Sequence, residues 1–327
     1  MRRFIKPAWI AIGWLLPLRL ALAQALPPAD AIIARVNGDP ILLSQVREMA
    51  LNQDIPLDWL TVEGLRGDAY RRVLTMLVDK KLLVQKARID EMQAEELEVA
   101  RLVEAMIKQL RERLGSEQEL DAFLEKNHLT LPSLRRTLIR RETNQALAAQ
   151  VVARRVNFDN DALAAFKSER RKNDEAVEEV NLAHILLRCP PEERKTQLGE
   201  EIYLRALRIA QQIGAEPSRF TELADSHSDD RASRRLGGRL GWMDPESLHP
   251  ALRDHVAKME PGDVSPPLQS KQGFHIMFLL GRHTPRDLLF AREFSRERID
   301  LTEQLRKQAS IQLFDINGKP LGELEKP

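Results

Sequence analysis

Between residues 183 and 283 two short apolar runs, each with a histidine near its start, bracket a stretch too rich in glycine and proline to form long elements. Ala183-His184-Ile185-Leu186-Leu187 and Gly273-Phe274-His275-Ile276-Met277-Phe278-Leu279 have the length and composition of buried strands. Between them lie a helical segment, the pair Ser228-Asp229, the loop Gly237-Gly238-Arg239-Leu240-Gly241-Trp242 and the proline-framed Pro261-Gly262-Asp263-Val264-Ser265-Pro266-Pro267. Such frequent punctuation predicts a compact unit of short strands and helices over residues 180–283.

The flanks are of a different kind. Ile32-Ile33-Ala34-Arg35-Val36, the turn Asn37-Gly38 and Ile41-Leu42-Leu43 predict a hairpin, with Ser44 as N-cap of a helix from Gln45. A lone hairpin is marginal in water and needs a partner. From about residue 67 to 166 the periodicity is helical: Tyr70, Leu74, Leu77, Val78 and Leu82 share one face, and Leu97, Ala100, Val103, Ile107, Leu110 and Leu114 share another. Gly115 stops the second helix, Ser116 starts a third, Thr130-Leu131-Pro132 opens a long fourth, and residues 157–161 cap one more. These stripes read as helix–helix core, with some apolar faces left for an unfolded client. The charged residues 167–179 lack periodicity and read as a linker, bounded at 171–179. Residues 288–308 are helical again, and Ile311-Gln312-Leu313-Phe314 is a strand that would partner the hairpin and unite the two flanks.

The first 25 residues have the three parts of a secretory signal: Arg2, Arg3 and Lys6, then a mostly apolar run broken by Pro17 and Arg19, then Ala23-Gln24-Ala25. The expectation is export with cleavage near Ala25, a periplasmic location and no stable membrane insertion afterwards. A whole-chain net charge of +1 argues against nucleic-acid binding, and Arg135, Arg136, Arg140 and Arg141 read as a solvated helix face. The single cysteine, Cys189, cannot make an internal disulfide, no Cys/His group has zinc spacing, and neither metal nor cofactor is expected.

Four motifs in order, His184-Ile185-Leu186, Ser228-Asp229 before Gly-Gly-x-Leu-Gly-Trp, Pro261-Gly262-Asp263-Val264-Ser265-x-Pro267 and Gly273-Phe274-His275-Ile276, resemble the signature of parvulin-type prolyl isomerases. The signal, hairpin, helical body and C-terminal helix and strand extend the likeness to SurA-like periplasmic chaperones. The resemblance implies an α+β chain. A mostly helical N-terminal chaperone domain (26–170) is completed by a C-terminal helix and strand (284–327), and a parvulin-like domain (180–283) has a four-stranded antiparallel sheet surrounded by helices.

For the site, the resemblance implies His184, Asp230 and His275 as the catalytic set and Leu240, Met243, Leu248, Leu252, Gln272 and Phe274 as substrate-binding residues. Leu252 stands where a phenylalanine is usual and Gln272 where a serine or threonine is common. The histidines read equally as a catalytic pair and as a hydrogen bond that holds the sheet together, and Asp230 has the alternative of a helix or turn cap. The expected function is a periplasmic folding factor that isomerises X-Pro bonds in unfolded, proline-containing clients, outer-membrane proteins among them. The alternative is a non-catalytic holdase with a vestigial parvulin domain.

Overall fold

The computed structural model describes residues 30–55 and 67–323. The signal expected over residues 1–25 lies outside the described residues. The chain is α+β and forms two compact units, one from the residues up to Asn157 together with those from Glu293 on, the other Phe158–Arg292.

The first unit contains a four-stranded sheet built from both flanks. β1 (Ile32–Val36) and β2 (Asp39–Leu42) form the expected hairpin, with Asn37 and Gly38 at the positive φ such a tight turn demands. β7 (Ile311–Phe314) pairs antiparallel with β1, Val36 opposite Ile311, and the sheet order is β2-β1-β7-β8. The fourth strand, β8 (Pro320–Glu323), returns after a turn at Asn317 and Gly318 and was not foreseen, although that Asn-Gly pair carries its signal.

Helix α1 (Leu43–Asn52) starts before Ser44, whose hydroxyl bonds the Asp30 carboxylate instead of capping; the Gln45 side chain takes up the free Leu42 N–H at 2.9 Å. Ile33, Val36 and Ile41 from the sheet, Val46 from α1, Leu74 and Val78 from α2 (Asp68–Ile89) and Ile311 from β7 make one core. Burying these side chains, at roughly 1.5–3 kcal/mol each, stabilises a hairpin that could not stand alone.

α3 (Glu96–Leu114), α4 (Glu117–Lys126) and α5 (Leu131–Ala153) enclose a second core around Val103, Ile107, Leu120 and Leu138. Gly115 ends α3 in the left-handed conformation, and Ser116 and Thr130 accept N–H groups from the helices they start. The buried face of α3 runs through Val99, Val103, Ile107 and Leu110, so the expected stripe beginning at Leu97 and Ala100 is off at its start: Leu97 is 64% exposed. Arg135 pairs with Glu104 and Arg141 with Glu142, so the run of arginines in α5 is partly neutralised.

α6 (Asn160–Lys172) corrects the expected linker, whose residues 167–172 are helical. Its charges cover a solvated surface around one buried side chain, Phe166, too few apolar residues to leave a readable period. The guanidiniums of Arg170 and Arg292 lie 5.6 and 4.7 Å from that ring. Arg170 also approaches Glu175 and Glu179, tying 173–179 down.

The second unit is organised by β3 (Glu179–Arg188), β4 (Arg239–Met243), β5 (Leu268–Ser270) and β6 (Gly273–His283), all antiparallel in the order β4-β3-β6-β5. α7 (Gln197–Ala215) and α8 (Phe220–His227) cover one face, where Ile185, Leu187, Phe274 and Ile276 meet Ala206, Ile213 and Leu223. Cys189 is buried in the same core. On the other face Val180, Leu182, Met277 and Leu279 meet Leu252 and Val256 of α10 (Pro250–Val256). α9 (Arg231–Arg234) is a single turn, and α11 (Pro285–Gln308) follows β6 in the chain.

The β1–β7 pairing makes a sharp expectation. Ile311→Ala, which empties a position 5% exposed, should cost about 2–5 kcal/mol of the first unit's unfolding free energy in a urea titration, whereas Gln312→Ala, one residue on and exposed, should stay within about 0.5 kcal/mol. Equal effects would contradict the register.

Candidate active site

The two histidines are brought together by strand register. β3 and β6 pair so that His184 opposes Met277 and Leu186 opposes His275. Cross-strand partners share a face and side chains alternate along each strand, so both rings lie on the α10 side of the sheet. Their centroids are 5.6 Å apart with planes at 29°.

Hydrogen bonds join the rings to three other side chains. Asp230 Oδ2 lies 2.9 Å from His184 Nε2 and accepts the Ser233 hydroxyl at 2.5 Å. The two Nδ1 atoms approach to 3.4 Å, and His275 Nε2 lies 2.6 Å from Ser270 Oγ, which accepts the Gln272 backbone N–H at 3.1 Å. One assignment of protons satisfies all of these contacts. Ser270 donates to His275 Nε2, His275 Nδ1–H points to His184 Nδ1, and His184 Nε2–H donates to the carboxylate.

Local structure fixes each end. Asp230 is the N-cap of α9, with Oδ1 accepting from the Ala232 N–H, and this single turn places Ser233 three residues on beside the same carboxylate. Gly238 gives its carbonyl to the His184 N–H at 2.8 Å, and its backbone passes so close that a Cβ would lie 2.5 Å from the His184 carbonyl. Its φ of +77° adds to the requirement for glycine. At the other end the tight turn from β5 to β6 sets Ser270 opposite Gly273 and Leu268 opposite His275.

The electrostatics of the chain set an ionised carboxylate at one end and a neutral His275 ring at the other. Burial pushes the Asp230 carboxyl up, but hydrogen bonds from Ser233, His184 and the Ala232 N–H outweigh it and hold it at about 2. Burial, reinforced by the nearby His184 and His249, lowers His275 to about 4 against a weaker opposing pull from Asp230. His275 is therefore neutral at physiological pH, as the proton assignment requires. No atom in the set is an activated nucleophile; the arrangement offers a fixed anion, two oriented imidazoles and an adjoining apolar wall.

Leu240, Met243, Leu248 and Leu252 all join that wall, with Met277 and Leu268. Two expected residues are placed otherwise. Phe274 lies on the opposite face, packed edge-on to Tyr203 at 5.3 Å, because it neighbours His275 on a strand of period two. Gln272 sits in the turn with an exposed side chain and gives the site only its backbone N–H; the hydroxyl at His275 comes from Ser270. Sequence reading missed Ser270 and Ser233, although the hairpin register for one and the Asp-x-x-Ser spacing for the other were open to inspection.

Residues 184–280 match the Rotamase family, described as the PPIC-type PPIase domain. Over most of its length the chain is similar to SurA chaperones. It is 27% identical to Chaperone SurA of Chromohalobacter salexigens over 281 residues, 82% of this chain and 61% of that one. Against Chaperone SurA of Thiobacillus denitrificans the identity is 29% over 302 residues, 86% and 65% of the two chains. The chain thus spans less than two thirds of the length of these relatives. A solved PpiC-type peptidyl-prolyl cis-trans isomerase domain aligns with 33% of this chain and 94% of its own at 27% identity and a TM-score of 0.30. Among the described residues no helix is long and apolar enough to cross a membrane.

The lowered His275 has a consequence for stability. The unfolded chain takes up a proton on this ring near pH 6.5 and the folded chain only near pH 4, so acid favours unfolding between those values. The contribution is complete above pH 6.5 and is lost at up to about 1.4 kcal/mol per pH unit on the way down to 4. Urea unfolding at pH 7 and pH 5 should show this drop in the native chain and a smaller one in His275→Gln. Equal drops in the two proteins would refute the assignment.

Proposed function

We propose that the central unit isomerises X-Pro peptide bonds and that the chain acts in the periplasm on unfolded exported polypeptides, outer-membrane proteins among them. The observation that carries this reading is the buried hydrogen-bonded chain from Ser270 to Ser233 set beside an apolar wall, with no activated nucleophile in it. Rotation about the peptide bond faces a barrier of ~18–20 kcal/mol because the twisted amide loses resonance. No covalent step is needed to lower it. Leu240, Met243, Leu248 and Leu252 hold the proline ring away from water, and the site favours the twisted amide, each ~1.4 kcal/mol of preference giving about tenfold in rate.

In this reading His184 and His275 are the fixed framework that aims Asp230. The carboxylate presents its charge beside the pocket, where it acts on the twisting amide through the field and not through proton transfer. Leu252 is an aliphatic side chain 6% exposed, so the wall is smooth, and contact with the ring is through packing alone.

A second reading, client holding by the helical unit, is favoured by its exposed apolar side chains. Leu97 and Leu102 on α3 and Ile139 on α5, helices that share one core, stand 64%, 37% and 37% exposed. The two activities are compatible and belong to different units.

Exchange spectroscopy on proline peptides tests the first. The native chain should accelerate isomerisation, and Asp230→Ala should lower kcat/KM roughly tenfold or more; absence of acceleration across several residues preceding proline would sink the reading. For the second, replacing Leu97, Leu102 and Ile139 together with serine should weaken suppression of aggregation of an unfolded barrel protein. Full retention of protection would remove those side chains from the client surface.

A further inference from the structure

The hydrogen-bonded chain ends at two serines, and each end is bordered by cations. Ser233 lies on the inner side of α9. Arg231, Arg234 and Arg235, at i, i+3 and i+4, share the outer side, and all three are exposed. Ser270 is followed by Lys271, exposed in the turn between β5 and β6. Among the described residues Arg231, Arg235 and Lys271 make no ion pair, and Arg234 has only a long contact, 3.9 Å, to the exposed Asp225. The remaining acids of the segment are committed elsewhere: Asp230 to His184 and Ser233, and Asp229 to the Arg188 backbone N–H at 2.8 Å.

The three exposed guanidiniums and Lys271 outnumber the carboxylates of Asp225, Asp229 and Asp230 beside them, and the hydrogen-bonded Asp229 and Asp230 face inward while the cations face solvent. This excess sets a field at the mouth, over about the Debye length of 8–10 Å at physiological salt. A client segment with carboxylates on either side of its proline gains from that field, and one with lysines is repelled.

We propose that Arg231, Arg234 and Arg235, with Lys271 opposite, make this site selective for proline segments flanked by aspartate or glutamate. The proposal rests on the reading of the central unit as a prolyl isomerase, and it concerns which segments that site accepts. The arginines are specificity residues: they attract the flanks and do not touch the twisting bond.

The test uses the full chain and three otherwise identical proline peptides flanked by glutamate, alanine or lysine, with affinity read by fluorescence anisotropy and turnover by exchange spectroscopy. At low salt the glutamate peptide should bind roughly tenfold more tightly than the alanine one and the lysine peptide more weakly, with kcat/KM in the same order. The preference should shrink to about twofold or less at 0.5 M salt. Replacing the three arginines with glutamine should bring the glutamate-to-alanine ratio to about one, and replacing them with glutamate should invert the order. Thermal unfolding of both variants checks that they are folded. Equal affinities for the three peptides, or a preference that survives in the glutamate variant, would overturn the proposal. If no peptide is turned over, the isomerase reading fails, while the order of affinities still decides whether the rim selects acidic segments.

Discussion

Strands β3 and β6 pair antiparallel along their full length, and that register makes neighbours of two histidines 91 residues apart in the chain. A slip of one residue would turn either ring to the opposite face, into the apolar core beneath α7 and α8. Burial of both faces prevents that slip. Ile185, Leu187 and Ile276 are held by one layer of helices, while Leu182, Met277 and Leu279 are held by α10. The polar chain between Ser270 and Ser233 is thus an island whose position is set by apolar packing on every side. Its cost is contained because each buried polar atom in it has a partner.

The pairing also connects structure to chemistry. The buried His275 imidazole, kept neutral by its surroundings, is a directional group with no net charge, and the carboxylate of the set is held ionised at Asp230. The proposed bond rotation needs an environment that distinguishes a planar amide from a twisted one, which a fixed dipole array beside an apolar wall would supply without reorganising. The same feature accounts for the exacting backbone: Gly238 must pass against the His184 carbonyl for the first histidine to be held from below.

What the sequence made legible follows the strength of its periodic and turn signals. The hairpin at Asn37-Gly38, the helix stops at Gly115 and starts at Ser116 and Thr130, and the strand at Ile311 were all readable because each rests on local chemistry. His184, Asp230 and His275 were readable as a set because the motifs around them agree. Legibility failed where a side chain's meaning depends on which way it faces. Phe274 sits inside the motif yet points away from the site, and Gln272 occupies a motif position yet gives only backbone, while Ser270 two residues earlier makes the bond. α6 was hidden for a different reason: one buried phenylalanine flanked by guanidiniums gives almost no hydrophobic period.

The sheet of the first unit sets an order of events during synthesis. β1 and β2 are made early, but β1 gains its second neighbour only when Ile311 and its strand exist, with all of Phe158–Arg292 made in between. At roughly 5–20 residues per second a ribosome needs tens of seconds to cover that interval. The second unit, whose strands and helices are continuous in sequence, has every partner before the first unit's sheet can close. A chain of this design therefore carries a finished central unit while its own helical body still holds an unpaired strand edge, and in that window the protein is itself partly unfolded.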